Sequence, residues 1–510
     1  GKPLYYATSM PLPGGGAEGL VVETHEGRPT KIEGNPLHSI NRGKASVWAL
    51  ASILGLYDPD RLKQPAYQNP ARGRLAASWD DFATWSKDHF APYVASGGEG
   101  LAFLADKKSS PTRDAVRDRL LKKFPKAVWS AYDAGEAGGA TRGSTLAFGK
   151  PGREIFSLSK AHVIVSLDRD FVEQEPAALV NAREFASTRA VTTAADSMSR
   201  LYMVESGFSH AGSSADHRLR VSPARIGAYA IAIARAVCER LGRDASALGA
   251  AVAMATFEAG PDIDQKFIDA VADDLVDSHN RSHSVIMAGA SQPAEVHAIV
   301  HGLNALLGNV GSTVSYCEMS AEDASSSTAS IVAIADMLAS GRATTLVMLN
   351  VNPAYDAPAD LDFAARMAKA TTITLSVDAN ETESISTWSL NGTHYLEAWG
   401  DTLAADGTLA PIQPMIAPLY APAHSDIELL AMIAGEPDTE GYEIVRGVWK
   451  AAFGSDFEKS WRRSLHDGVA PKSPKSPGAW PADMGAIAEA AKGLAIGPAP
   501  TRDSLDLAFT

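Results

Sequence analysis

Ala161–Pro176, AHVIVSLDRDFVEQEP, and Thr344–Pro358, TTLVMLNVNPAYDAP, decide how this chain is read. Each is a run of β-branched and apolar residues that stops at a polar turn and gives way to helical spacing. A parallel strand buried on both faces and feeding a crossover helix has this signature. In open α/β sheets the turns just past such strands are where ligands bind. The chemistry to look for therefore sits at Asp168, Arg169 and Asp170 in one turn and at Asn350, Asn352 and Asp356 in the other.

Working outward, the same alternation recurs. Leu101–Ala105 and Ala127–Tyr132 read as strands around a helix at Ser109–Phe124, with Trp79–Tyr93 a helix before them. Arg200–Glu205, Ser284–Ala288 and Thr371–Val377 read as further strands. Helices are expected over Glu175–Ser187, Ser222–Leu241, Leu248–Phe257, Ile263–His279, Ala294–Leu307, Ala359–Ala368, Asp426–Ala434 and Tyr442–Phe453. Upstream, Leu20–His25 and Thr30–Glu33 flank a Gly27-Arg28-Pro29 turn as a β-hairpin, and Ala45–Leu56 has helical spacing. Asp133–Arg153 holds six glycines without a period and reads as a long loop. Residues 470–482, with Pro471, Pro474, Pro477 and Pro481, read as an extended linker, and Leu505–Phe509 as the start of a strand. The division expected is a β-rich region over 1–62, a first α/β lobe over 63–150 and 290–385, a second over 151–289, and a mixed region with C-terminal helices over 386–510.

Composition narrows the function. A chain of 510 residues is too long for one core. A net charge of −14 without basic runs argues against nucleic-acid binding. The longest apolar helical stretches, Gly227–Val237 and Ala247–Phe257, are too short to cross a bilayer. Cys238 and Cys317 are the two cysteines, too few for a four-thiolate iron–sulfur or zinc site. Whether they pair with each other stays open at this level.

Other motifs fall short of a site. Gly14-Gly15-Gly16-Ala17-Glu18-Gly19 matches G-x-G-x-x-G, but Pro11 and Pro13 precede it and a strand follows, so it reads as a glycine turn. His297 and His301 lie four apart on one helix without the H-E-x-x-H glutamate, and read as core or interface residues. His210 and His217 read as loop residues, and His279 and His283 as a solvated turn. Asp80-Asp81 and Asp273-Asp274 read as solvated helix faces. No G-x-S-x-G is present.

Several blocks carry a family resemblance. Arg28–Pro36 (RPTKIEGNP) with His38 and Gly43 resembles the N-terminal G-N-P-x-H-P-x-S-x-G motif of the molybdopterin oxidoreductase family, departing at Ser39 and Asn41. Leu346–Pro353 is similar to that family's strand and N-P turn where a pterin dinucleotide is held. Asp378–Glu383 and Leu396–Thr408 resemble its downstream acidic and E-x-x-G stretches. Ser52–Arg61, Val163–Phe171, Leu201–Glu205 with Ala215–Arg218, His394–Gly400 and Pro411–Tyr420 resemble one branch, the large subunit of bacterial alternative complex III.

The resemblance implies a formate dehydrogenase/DMSO reductase-like α/β fold of interleaved parallel-sheet lobes with a β-rich N-terminal region. It implies the cofactor-less first half of that subunit: a scaffold without catalytic, cofactor-binding or metal residues of its own, and without molybdopterin. Its partners would be an iron–sulfur cluster module, multihaem and monohaem cytochrome c subunits, and integral membrane quinol-binding subunits. The place implied is the periplasmic side of the bacterial inner membrane after Tat export. The alternative is an active molybdopterin-dependent subunit with a non-cysteine metal ligand, for which Asp133, Thr141 and Ser144 offer oxygen. A solute-binding α/β protein is the reading from a different class.

Overall fold

Two helices of the first unit start where local chemistry says they should. Ser110 caps Pro111–Lys123 by accepting from the Arg113 N–H at 3.1 Å, Pro111 opens the first turn, and Lys122 and Lys123 close the last. Ser78 and Asp81 form a capping box on Trp79–Ser96. The computed structural model describes residues 2–135, 138–173, 175–244, 246–255, 263–473, 475–498 and 500–506.

The chain divides into two compact units. The first is Gly1–Glu136, Ser320–Ala404 and Thr408–Pro474; the second is Ala137–Met319, Ala405–Gly407 and Lys475–Thr510. The expected lobe boundaries at 150/151 and 289/290 therefore move. Residues 138–150 and 290–319 join the second unit, because the helix Gly139–Phe148 packs along Ala294–Leu306.

In the first unit a seven-stranded sheet runs in the order Gly73–Ala76, Ala66–Asn69, Trp388–Asn391, Thr371–Ser376, Thr345–Leu349, Leu101–Asp106, Val128–Tyr132. The last five are parallel, with Val347 opposite both Ile373 and Phe103; the first two form an antiparallel hairpin at the edge. From Leu101–Asp106 the chain winds one way to Val128–Tyr132. From Thr345–Leu349 it winds the other way, to Thr371–Ser376 and Trp388–Asn391. The carboxyl ends of Leu101–Asp106 and Thr345–Leu349 thus flank a switch point, where open α/β sheets bind ligands. Trp388–Asn391 lies inside this sheet, so the region after 386 is not separate from the lobe.

The second unit holds a parallel sheet in the order His217–Arg220, Arg200–Glu205, Val163–Leu167, Ser284–Ala288. Its switch point lies between the last two strands. The strand Val314–Glu318 pairs antiparallel with Gly152–Phe156.

Several expectations change. The N-terminal hairpin gains a third strand, Leu4–Pro11, making a meander that carries the helix Val47–Leu56. The expected loop over Asp133–Arg153 contains the helix Gly139–Phe148. Its glycines serve packing: a Cβ at Gly139 would meet the Gln292 carbonyl oxygen at 2.1 Å, and one at Gly143 the His297 Cβ at 2.3 Å. The expected helix Ala359–Ala368 breaks at Asp362, whose φ is +43°, into a short 3₁₀ turn and Phe363–Met367. The proline-rich stretch is docked rather than free: Gly478 pairs with Tyr316, and Trp480 packs against Phe148 and Tyr316. The end of the Leu248–Phe257 helix and the strand expected at Leu505–Phe509 lie partly outside the described residues.

Candidate functional site

Five parallel strands of the first unit end on one cavity of about 590 Å³. Asp106, Lys107 and Lys108 follow Leu101–Asp106 and its turn; Tyr132 and Asp133 end Val128–Tyr132. Asn350 and Asn352 follow Thr345–Leu349, Ser376 and Asp378 follow Thr371–Ser376, and Thr393 and His394 follow Trp388–Asn391. All of them line the cavity, with Asp356 and Asp426 beside them. The glycine turn contributes Gly14, whose φ is +70°.

The turn residue Asn350 adopts φ +54°, a left-handed conformation that Asn and Asp tolerate better than other side-chain-bearing residues. Its N–H donates to the Leu375 carbonyl at 2.9 Å. Asn352 then ties this turn to the helix Glu381–Ile385, accepting from the Thr382 N–H at 3.0 Å and hydroxyl at 2.8 Å and donating to Glu381 Oε2 at 2.7 Å.

Among the charged residues of the lining, carboxylates outnumber cations. Asp106, Asp133, Asp356, Asp378 and Asp426 all reach the cavity. Burial pushes Asp106, Asp356 and Asp378 above the usual carboxylate range. Burial acts the same way on Asp426, but Lys108 and Arg113 outweigh it and hold that group low. The cations are engaged by the protein itself. Lys107 donates to the Ser325 carbonyl and to the Asp323 carbonyl at 3.4 Å, and Lys108 to Asp426 at 3.3 Å. Arg113, fully buried, reaches Asp106 at 2.5 Å, Asp426 at 3.5 Å and Glu322. Burial and the neighbouring Arg61 pull His394 down to about 4, so it is neutral at pH 7.

The crevice of the second unit is filled by its own side chain. Asp168 (φ +66°) occupies the turn equivalent to Asn350, its N–H donating to the Val204 carbonyl at 2.7 Å. One carboxylate oxygen accepts from the Ser206 N–H at 3.1 Å and hydroxyl at 3.3 Å. The other accepts from Ser291 at 2.9 Å and Gln292 at 3.1 Å. Asp168 thereby ties together the ends of three strands where a phosphate would be received. Beside it Arg169 lies over the Phe156 ring, clamped by Glu154 and Glu175.

The other candidate residues separate. Asp133 is at the cavity, but Thr141 and Ser144 are on the Gly139–Phe148 helix of the second unit. Ser144 donates to the Thr141 carbonyl and accepts from the Gly152 N–H, a local structural role. His297 and His301 are buried, His301 bonding Tyr316 at 3.1 Å; burial pulls His297 to about 4. Buried Asp170 lies beside exposed Glu173 and His210, and accepts from the His210 and Ala211 N–H groups. His217 stacks on Tyr202. His279 is exposed and bonds Asp277, and His283 stacks on His162. Asp81 caps its helix; Asp273 and Asp274 pair with Arg240 and Arg200. Cys238 and Cys317 are separate free thiols, both buried. Lys107, Lys108, His394 and Asp426 are lining residues to which the sequence reading gives no site role, His394 entering there only as the start of the block His394–Gly400 and Asp426 as the start of a helix. A strand followed by Ser110-Pro111 was the available signal for the first two.

This donor set is a poor match for a molybdenum–pterin dinucleotide. A pyrophosphate needs N–H donors and cations, whereas this lining offers five carboxylates and lysines already held. No cysteine lines the cavity, and Asp133 is the one candidate metal ligand from the sequence that reaches it.

Comparison with known proteins agrees with the architecture. No family model matches the sequence. Over 304 residues the chain is 24% identical to the protein named menaquinone reductase, molybdopterin-binding-like subunit, of Nitratidesulfovibrio vulgaris (strain Hildenborough), a span of 57% of this chain and 42% of that protein. Acetylene hydratase from Pelobacter acetylenicus has a similar fold, with a TM-score of 0.65 at 12% identity over 89% of this chain and 71% of its own. The chain is thus similar in sequence to a protein named as a molybdopterin-binding-like subunit and in fold to acetylene hydratase. Its fold is the molybdoenzyme-like α/β architecture expected from the sequence. The match to the curated relative spans less than half of that relative's length. Among the described residues, no helix is long and apolar enough to cross a membrane.

Proposed function

We propose that this chain is a scaffold subunit of a quinol:electron-acceptor oxidoreductase of the alternative complex III type. It would keep the walls of a molybdoenzyme without its metal chemistry. The observation that carries this reading is what stands at the two switch points: an open cavity whose lining includes five carboxylates in the first unit, and a crevice closed by Asp168, bound by four donors, in the second. The quinone chemistry in the name of the curated relative supports placing the chain in a quinone-reactive assembly. In that reading the iron–sulfur module, the cytochrome c subunits and the membrane quinol-binding subunits carry the electrons. This chain holds them together on the periplasmic face of the inner membrane. Metal and pterin analysis of the purified assembly tests it. Iron and haem without molybdenum, tungsten or pterin is the expected result; one molybdenum or tungsten per copy of this chain overturns it.

A second reading has one observation in its favour: Asp133 ends a parallel strand at the cavity. An active subunit using an oxygen ligand would lose its metal in Asp133→Ala and retain it in Thr141→Ala and Ser144→Ala.

A further inference from the structure

The helix Val47–Leu56 reads VWALASILGL, without a charged residue. A helix that is apolar all round belongs inside a protein. One side is covered by this chain: Ala49, Ile53 and Leu56 pack with Met10, Leu20, Val22, Ile32 and Leu396, and Ser52 bonds the Tyr395 hydroxyl at 2.7 Å. Val47, Trp48, Leu50, Ala51 and Leu54 on the other side are exposed, as is Leu37 in the turn before them. Trp48 is 74% exposed and Leu54 71%.

This bare face is arranged evenly about Ala51. Trp48 stands three positions before it and Leu54 three after; Lys44 stands seven before and Asp58 seven after; Arg42 stands nine before and Asp60 nine after. Arg42, Lys44 and Asp60 are exposed and Asp58 is half-buried. With a rise of about 1.5 Å per residue, Trp48 and Leu54 lie roughly 4.5 Å either side of Ala51 along the axis, on opposite flanks of the face. A two-fold axis at Ala51 therefore sets Trp48 of one copy level with Leu54 of another. The basic end of each copy meets the acidic end of the other, and the two small Ala51 side chains at the crossing let the helices close.

We infer that this face is the contact of a homodimer, in which Val47–Leu56 of two copies pack antiparallel about that axis. The exposed side chains present roughly 700 Å² of apolar area per copy, above the largest patch of a typical monomer, so a pair buries about 1,400 Å², within the range of specific interfaces. The order of charge selects the occupant. A second copy carries the complementary order by symmetry, whereas an unrelated chain has to supply it independently. A lipid surface favours cations around the whole patch, and the carboxylates at one end work against it. The inference does not rest on the scaffold role.

Sedimentation equilibrium of the purified full chain tests it. A dimer is expected, with its dissociation constant raised about ten-fold or more by Leu54→Lys and little changed by Leu54→Met. Lys44→Asp and Asp58→Lys each weaken the dimer, and the two together restore it, because each copy then offers the reversed order to the other. That restoration separates a broken contact from a misfolded chain. Under mild oxidation Ala51→Cys links two copies, whereas Val47→Cys, about 12 Å along the axis from its counterpart, does not. Cys238 and Cys317 are buried and stay out of this reaction. A native chain that is monomeric at every concentration overturns the inference, as does a dimer that Leu54→Lys leaves unchanged. Equal linking through Val47→Cys and Ala51→Cys, or a double charge variant no stronger than either single one, overturns it as well. None of these results touches the scaffold role, which metal and pterin analysis decides separately.

Discussion

Replacing Asp168 separates its two tasks, holding a left-handed turn and bonding three strand ends. Asp168→Ala loses an ionised acceptor for Ser206, Ser291 and Gln292. Hydrogen bonds to a charged group contribute about 1.5–3 kcal/mol each where water is excluded. The turn is only half-buried and its donors regain water, so a net loss of about 2–3 kcal/mol is a reasonable total for the set. Alanine at φ +66° adds about 1 kcal/mol of backbone strain, giving about 3–4 kcal/mol in all. Asp168→Gly relieves the strain but not the lost bonds, and falls about 1 kcal/mol below alanine. Asp168→Asn tolerates the left-handed backbone and keeps one acceptor toward Ser206, so about 1 kcal/mol is expected. Native-state hydrogen exchange at the amides of Val163–Leu167 and Ser284–Ala288 reads these openings strand by strand, avoiding the assumption that the two units unfold together. The reasoning is refuted if alanine and glycine are equal, or if all three variants lie within about 0.5 kcal/mol of the native chain.

In the first unit, fully buried Asp401 accepts from the Ser110 hydroxyl at 2.6 Å, the Thr112 N–H at 3.0 Å and hydroxyl at 2.5 Å, and Trp449 Nε1 at 2.8 Å. Asp401→Ala should cost about 3–5 kcal/mol in chemical denaturation and Asp401→Asn less, because the amide keeps the shape; equal costs would contradict this. A pH dependence follows from His297, neutral and buried with its pKa near 4 against about 6.5 unfolded. Between those values the unfolded chain binds more protons, so this contribution is whole above pH 6.5 and is lost as pH falls toward 4, by at most about 3 kcal/mol. His297→Gln should flatten the fall in melting temperature of the second unit between pH 6.5 and 4. Superimposable curves for the two proteins would exclude His297 as a source.

Strands such as Val163–Leu167 and Thr345–Leu349 were legible because a doubly buried parallel strand must be apolar along its whole length, and its turn must be polar. The N-terminal hairpin and the capped helices were legible for the same local reason: a cap or a turn is decided within four residues. Glycine was where local reading failed. In Gly139–Phe148 it marks a close helix approach to Ala294–Leu306, and nothing within that segment announces a partner 150 residues away.

Two polar turns following apolar strands could be found in the sequence, but what each turn does could not. Asn350 opens onto a cavity and Asp168 closes a crevice, although both residues hold the same left-handed turn. Secondary structure follows from periodicity and neighbours along the chain. The charge and filling of a site depend on which strand ends meet in space, here segments from residues 106 to 426 in one unit and from 168 to 292 in the other.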